Sequence, residues 1–416
     1  MAGLVRVDGE RLTADQRELS AFGRTPSGGV SRTSYSPADL DARRWFAARC
    51  TDAGLSVRTD GLGNVMVRLS PPGADPSRPA VWTGSHLDSV PEGGGYDGAA
   101  GVLSGLECLR RLAEERVALP RPVQLVVFAD EEGCYHHLFG STGLTRGFTS
   151  EQLAGRRGRD GTRLVDALIA AGLDPDAAAR TGISPAEVHA YVELHIEQGP
   201  VLESAGIDIG VVTSIVGIGG GTVRFTGRAD HAGTTPMPAR RDALRAAGHF
   251  LTRLPAAAAG VSEQAVITCG LIDVTPAATN VVPATAELQL DYRDTDMSRM
   301  QALADAIVRT AQAAAQECTL TAEVHFEDTV EPVLLDAGVE DVVEQSAASL
   351  GYSSRRMPSG AGHDAQNMAR IARAGMIFVP SAGGRSHTKE EYTSPGDLER
   401  GANVLLETLT RLARDD

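Results

Sequence analysis

Four short apolar runs in this 416-residue chain each end abruptly in residues of the kind that bind metals. AVWTGSHLD reaches His86 and Asp88, and VQLVVFADEEG reaches Asp130, Glu131 and Glu132. AYVELHIEQG reaches His195, Glu197 and Gln198, and GMIFVPSAGGRSH reaches His387. Runs this short, separated by helical patterns such as 99–115 and 362–373, read as strands alternating with helices, the pattern of an α/β sheet. In open α/β sheets, sites collect beyond the carboxyl ends of the strands. The four histidine and carboxylate clusters are therefore expected to meet at one place.

Residues 84–101, GSHLDSVPEGGGYDGAAG, are too rich in glycine for a good helix or strand. Either this is a solvated loop with incidental polar residues, or the backbone bends so that His86, Asp88 and Asp97 converge. Paired acids such as Glu131-Glu132 are usually surface charge, but these follow VVFAD directly. Two adjacent carboxylates at the end of a buried strand repel and lose hydration. A cation removes that cost. Imidazoles with carboxylates suit Zn²⁺, Mn²⁺, Co²⁺ or Ni²⁺, and two such ions about 3.5–4 Å apart make a hydrolytic centre.

The chain is long for one hydrophobic core, so two domains are expected. Residues 10–23 and 37–53 read as helices, the second with Ser36-Pro37 as cap and first-turn proline; 64–69 reads as a strand. From about residue 211 the pattern changes. VVTSIVGIGGGTVRFTGRA, AVITCGLIDV and ATAELQLDYRD look like strands, and 239–254 and 297–316 look helical. The resulting strand-helix-strand-strand-helix-strand order predicts an α+β domain at 211–328, inserted into an α/β domain formed by 1–210 and 329–416.

Net charge is −15, which argues against nucleic acid or an anionic membrane surface as the main partner. A small anionic substrate is compatible with it, because a local field can oppose the global one. The five cysteines are scattered with no CxxC pair, which suggests a reducing compartment. With no apolar signal segment at the N-terminus and no run of about 18 apolar residues, the cytoplasm is the expected location. The run Arg156-Arg157-Gly158-Arg159 reads as a solvated loop.

Taken together, GSHLDSVPEGGGYDGAAGVLSGLE, FADEEG, ELHIEQGPVLE, GRADHAGTTPM, ATNVVP, SGAGHDAQNMA and PSAGGRSHTKEEYTS resemble the hydantoinase/carbamoylase branch of the M20 metallopeptidase superfamily. The likeness runs in order from about residue 30 to the C-terminus. It implies a catalytic α/β domain with a mixed central sheet flanked by helices, plus an inserted α+β lid that also dimerises. It implies two divalent metal ions per chain. His86, Asp97 and His195 would hold one, and Asp97, Glu132 and His387 the other, with Asp97 bridging. Asp88 would orient His86. Glu131 would be the general base, taking a proton from the attacking water and passing it to the leaving nitrogen. His231 would stabilise the developing oxyanion. Gln198, Asn280 and Arg293 would bind substrate, Arg293 through a carboxylate, and lid residues would reach the partner subunit's site in a homodimer. Read from the residues alone, His231 could equally be a turn histidine, and Arg293 could pair with Asp291 or Asp294.

The implied reaction is hydrolysis of a linear amide or ureido C–N bond in a small carboxylate-bearing substrate. An N-carbamoyl-L-amino acid is the first expectation, and allantoate or ureidoglycolate the alternative. An aminopeptidase or dipeptidase of the superfamily and a catalytically silent binding protein of the same fold are the rivals. The segment CYHHLF after EEG is shorter than the resemblance leads one to expect. It carries His136 and His137, and the substrate choice is expected to lie there.

Overall fold

The structure, a computed structural model, describes residues 4–327 and 329–415. The expected domain limits at 1, 328 and 416 lie outside the described residues. The chain divides into two compact units. One runs to Thr213 and resumes over Leu335–Ser359 and from His363; the other is Ser214–Leu334 with Gly360–Gly362.

The first strands are β1 (Ser56–Thr59), β2 (Val65–Leu69), β3 (Ala80–His86), β4 (Val123–Phe128), β5 (Val188–Ile196) and β6 (Ile209–Ile215). The second unit holds β7 (Gly217–Thr226), β8 (Asp230–His231), β9 (Val266–Thr275), β10 (Val281–Val282), β11 (Thr285–Asp294), β12 (Thr321–Phe326) and β13 (Val333–Leu334). The chain then returns for β14 (Ser354–Ser359) and β15 (Arg373–Val379).

The large sheet is mixed, with strands in the order β1-β2-β4-β3-β5-β15-β6 and β14 paired to β6. Its centre, β4-β3-β5-β15, is parallel, and β1, β2 and β6 join antiparallel. The four parallel strands are the four apolar runs of the sequence. They are apolar without alternation because they are covered on both faces. Being parallel, they deliver all four ligand-rich ends to one edge. The helices Ala99–Glu114, Pro395–Leu412, Ala337–Leu350 and Gly9–Leu19 pack their apolar faces into the core around Leu103, Leu106, Val192, Val343 and Leu405.

Some helices differ from expectation, each for a local reason. The first ends at Leu19, where the Ser20 hydroxyl turns back to the Gln16 carbonyl at 2.7 Å. The second holds as Pro37–Asp52, capped by Ser36. The helix expected at 362–373 shrinks to Ala365–Met368, because β15 begins at Arg373 and leaves room for little more than a turn. The stretch 239–254 starts late, since Pro236 and Pro238 hold the chain extended or in a 3₁₀ turn until Asp242 caps Ala243–Leu251.

The second unit is α+β. Its sheet, β12-β7-β11-β9, is wholly antiparallel. Helices Ala243–Leu251, Leu254–Ala259 and Met297–Glu317 cover one face over Phe225, Phe250, Leu288 and Leu303. Along β7 and β11 buried residues alternate with more exposed ones, the period of two expected of a one-sided sheet. β9 is an edge strand that leaves Val266, Leu271 and Ile272 between 42% and 48% exposed. A separate ribbon pairs β8 with β10. No helix among the described residues is long and apolar enough to cross a membrane.

Close packing between the helix Ala99–Glu114 and the sheet depends on Gly101. A Cβ placed there would stand 2.1 Å from the Leu194 carbonyl oxygen. Gly101→Ala should therefore destabilise by about 1–3 kcal/mol, even though alanine is the better helix former by about 1 kcal/mol. Denaturant unfolding measures the sign, and a gain in stability would contradict the packing.

Candidate metal centre

Asp97 stands where the four strand ends meet, and its two oxygens face different partners. Oδ1 lies 3.2 Å from His195 Nε2 and 3.6 Å from His86 Nε2. Oδ2 lies 3.2 Å from His387 Nε2 and accepts hydrogen bonds from Gln198 Nε2 at 2.8 Å and Ser386 Oγ at 3.0 Å. On the far side of His387, Glu132 Oε2 is 3.6 Å from Nε2; Glu131 Oε2 is 3.6 Å from His86 Nε2. His86, Asp97 and His195 form one compact ligand group and Asp97, Glu132 and His387 a second that shares Asp97; His86 with Glu131 and Glu132, and His195 with Glu193 and His363, are also close enough to group.

The loops are bent to reach these positions. Gly98 has φ +63°, and a Cβ there would lie 2.4 Å from the His86 ring, so only glycine lets Asp97 come so close. Asp130, Gln198 and His387 all adopt left-handed backbone. Such strain in non-glycine residues persists where the surroundings over-determine it. Asp130 shows how: its carboxylate accepts the amides of Cys134, Tyr135 and His136 at 2.7, 2.9 and 2.9 Å, folding the segment after β4 back on itself.

The histidine tautomers follow from their outer nitrogens. His86 Nδ1 meets the Asp88 main-chain carbonyl at 3.0 Å, and His195 Nδ1 meets that of Ile196 at 2.9 Å. A carbonyl can only accept, so each Nδ1 carries a proton, and in the neutral ring Nε2, on the side of Asp97, is the nitrogen left to offer a lone pair to a cation. It is the backbone of Asp88, then, that orients His86; its carboxylate oxygen is 3.9 Å from the ring. That carboxylate instead accepts from the amides of Glu132 at 3.1 Å and Glu131 at 3.4 Å, and from Ser34 Oγ at 3.0 Å. It thus fixes the doubled glutamate rather than the imidazole.

The electrostatics are those of a cluster short of positive charge. Burial opposes the Asp97 carboxylate, but hydrogen bonds from His195, His387 and His86 hold it well below the usual range. Burial pushes the Glu131 carboxyl well up, helped by Glu132 and resisted by His86. Burial and the charge of Asp97 raise Glu132 to about 7. The Asp97 hydrogen bond raises His387 to about 9. Burial would lower His86, yet the charge of Glu131 and the bond to Asp97 carry it well above its ordinary value.

These residues fit divalent cations. Two ligands at about 2.1 Å from a tetrahedral ion stand about 3.4 Å apart. The separations of 3.2–3.6 Å from Asp97 and Glu132 to the imidazole nitrogens match that figure. The longer ones exceed a good hydrogen bond. Glu132 Oε1 is buried with no hydrogen-bond partner, an acceptor that a cation would satisfy.

Two neighbours, Glu391 and His363, were not singled out in the sequence. Glu391 accepts the amides of Tyr96 and Asp97 on Oε1 at 2.8 and 2.9 Å, and Ser386 Oγ and the His387 amide on Oε2 at 2.9 and 3.3 Å. It ties two of the ligand loops together. The doubled acid Glu390-Glu391 just beyond His387 was the available signal. The His363 ring, from SGAGHDAQNMA, packs edge-on against His195 with centroids 4.4 Å apart. Glu197 caps the helix after β5, accepting from Val201 and Leu202. In CYHHLF, His136 packs against Phe148, with ring centroids 5.3 Å apart, and burial lowers its pKa. His137 Nδ1 meets the Glu131 carbonyl at 2.9 Å.

His231, Asn280 and Arg293 belong to the second unit. His231 and Asn280 share the β8/β10 ribbon, where the Ala232 amide bonds to the Asn280 carbonyl at 3.0 Å. His231 Nδ1 accepts from the amides of Gly233 and Thr234 at 3.0 and 3.2 Å, so its exposed Nε2 carries the proton. Arg293 forks onto Asp291 at 2.8 and 3.0 Å and donates to the Gly360 carbonyl at 3.0 Å.

The profile described as peptidase family M20/M25/M40 matches residues 82–411. The chain belongs to this family. Within it, the chain falls in the hydantoinase/carbamoylase branch that its motifs resemble. An N-carbamoyl-L-amino-acid amidohydrolase of Paenarthrobacter aurescens is 37% identical over 99% of this chain and 100% of its own length. An allantoate amidohydrolase of Bacillus subtilis is 35% identical over 95% of each. A hydantoinase/carbamoylase-family amidase from Burkholderia multivorans superposes with a TM-score of 0.90 at 34% identity, covering 99% of both chains. This M20 chain is therefore an amidohydrolase of a metal-dependent family, and the silent-scaffold rival falls away.

If cations complete this cluster, removing them leaves buried carboxylates facing one another. Treatment with a chelator should lower the apparent Tm by several degrees, and re-addition of metal should restore it, because a ligand held only by the folded state stabilises that state. An identical melting curve in both conditions would speak against the assignment.

Proposed function

We propose that this M20 enzyme hydrolyses N-carbamoyl-L-amino acids to the amino acid, carbon dioxide and ammonia, consuming one water. The observation that carries the hydrolytic reading is the division of Asp97 between the His86–His195 pair and His387. A carboxylate so placed suits two ions sharing one ligand. His86, Asp97 and His195 would hold one ion, and Asp97, Glu132 and His387 the other, as Zn²⁺, Mn²⁺, Co²⁺ or Ni²⁺. When bound, the pair would supply Lewis-acid activation of water and of the scissile carbonyl.

The chain's own residues would do the rest. Glu131, outside the two groups that share Asp97 and with its pKa raised by burial, suits a base that takes the proton from the attacking water and returns it to the leaving nitrogen. His231, with its Nε2 proton fixed by the Gly233 and Thr234 amides, suits a donor to the oxyanion as charge develops. Gln198, held beside Asp97, would contact the ureido group, and Asn280 would assist in the lid. Arg293 would exchange its Asp291 partner for the substrate carboxylate. The second unit would act as lid and dimerisation domain, with lid residues reaching the partner subunit's site. The five cysteines are all unpaired, which supports a cytoplasmic setting.

The substrate preference rests on relatives that span the whole chain and act on N-carbamoyl-L-amino acids; allantoate is the alternative named by another. An ammonia-release screen of the metal-loaded enzyme over N-carbamoyl-L-amino acids, allantoate, ureidoglycolate and simple amides tests it, and turnover confined to allantoate or ureidoglycolate would replace the first reading. In the preferred assay, Glu131→Gln should keep its metal content while kcat falls about 10²- to 10⁴-fold. Near-normal turnover would remove Glu131 as the base.

The dimer reading makes its own demand. β9 is a ten-residue edge strand with exposed Leu271 and Ile272, and an exposed apolar edge is a template for pairing with a second chain. Leu271→Arg should shift the protein from dimer to monomer in analytical ultracentrifugation. An unchanged dimer would move the interface elsewhere.

A further inference from the structure

A cavity of about 400 Å³ lies in the first unit beneath the glycine run Gly93-Gly94-Gly95. Arg17, Arg24 and Lys389 line it, together with Gln16, Tyr96 and Tyr392. Lys389 is the single lysine in a chain whose 39 basic residues are otherwise arginine. Among the described residues, none of these three cations has a carboxylate within ion-pair distance, although the chain carries 54 acids.

The one acid in the cavity wall is Glu391, and it is spoken for. All four of its short contacts are to donors, namely the amides of Tyr96, Asp97 and His387 and the Ser386 hydroxyl. It is buried, at 5% exposed, and does not neutralise the cations across the cavity. Gln16 adds a second feature. It is 3% exposed, its amide nitrogen donates to the Gly95 carbonyl, and its Oε1 is buried with no partner. A buried acceptor left unmade is costly, and the side chain that carries it is part of the lining of the same cavity as the cations.

We propose that this cavity is a second binding site, separate from the metal cluster, for a small oxyanion that also carries a hydrogen-bond donor. Arg17, Arg24 and Lys389 meet the anionic oxygens through charge-assisted hydrogen bonds, and Gln16 Oε1 accepts from the ligand's own hydroxyl or ammonium. Glu391 connects the two sites. It forms the cavity wall and holds the backbone of both Asp97 and His387. Occupancy of the cavity therefore changes metal affinity, and by reciprocity bound metal changes anion affinity by the same factor. Inorganic phosphate and a hydroxycarboxylate both have the required chemistry, and the test separates them.

Calorimetric titration of the metal-loaded full chain with inorganic phosphate, and separately with glycolate, reads binding directly. Saturable binding of one or both anions is expected, weakened about tenfold or more in Lys389→Met and in Arg24→Ser. Metal content and basal kcat should be unchanged in both variants. In wild type the bound anion should shift metal affinity, measured by competition with a chromogenic chelator, and the shift should vanish in Lys389→Met. No heat beyond dilution with either anion overturns the site. So does binding of equal strength in wild type and both variants, or binding abolished by a saturating substrate analogue, which would place the anion at the metals. Metal affinity that is the same with and without bound anion overturns the link through Glu391.

Discussion

The centre depends on one carboxylate doing two jobs. Asp97 turns one oxygen to His86 and His195 and the other to His387. That position is held from several sides. Glu391 fixes its amide, Gln198 and Ser386 bond to its outer oxygen, and Gly98 lets the chain pass against the His86 ring where any Cβ would collide. A buried anion among three imidazoles and two further acids is stable only if its charge is matched, and in the absence of metal the histidines are driven toward protonation to match it. The same imbalance suits the cluster to divalent cations, as the family's metal dependence requires.

Around this point the protein spends backbone freedom to place side chains. Asp130, Gln198 and His387 sit in left-handed conformations next to the site, at the turns that leave β4, β5 and β15. Buried carboxylates steady these turns. Asp88 collects the amides of Glu131 and Glu132, and Asp130 collects those of the next segment. The turn after β4 is thus organised by two acids that are not themselves aimed at the centre. Asp88 reads in sequence as a partner for a histidine ring two residues away, yet its carboxylate points at the neighbouring strand's loop.

The second unit has a different logic. Among the described residues its helices cover one face of its sheet, the Nε2 proton of His231 is fixed by two backbone amides, and Arg293 already grips a carboxylate of its own chain. That internal partner offers the guanidinium the planar pairing a substrate carboxylate would use. The cavity beside Glu391 adds a further place where cations gather without counter-ions, in a chain otherwise dominated by acids.

The sequence by itself determined that there are buried parallel strands, that their ends carry ligands, and that an alternating α+β segment interrupts them. These are properties of local pattern: apolar runs without alternation, proline and serine at helix starts, and a period of two in the inserted segment. That His86, Glu132, His195 and His387 follow apolar runs, and so are candidate ligands, was also legible, because acids and histidines there are costly unless something compensates them; Asp97 joined that set only through the resemblance of the motifs. What only the tertiary structure decided were relations between segments far apart in the chain. Glu391 and Asp97 are 294 residues apart in sequence, and no local signal tells a serine or glutamate which distant amide it will meet. The tautomers of His86, His195 and His231, the turn of the Asp88 carboxylate toward Glu131 and Glu132, and the convergence of Arg17, Arg24 and Lys389 on one cavity follow from packing. Hydrogen bonds are directional and short, so their partners exist only once the sheet has brought the loops together.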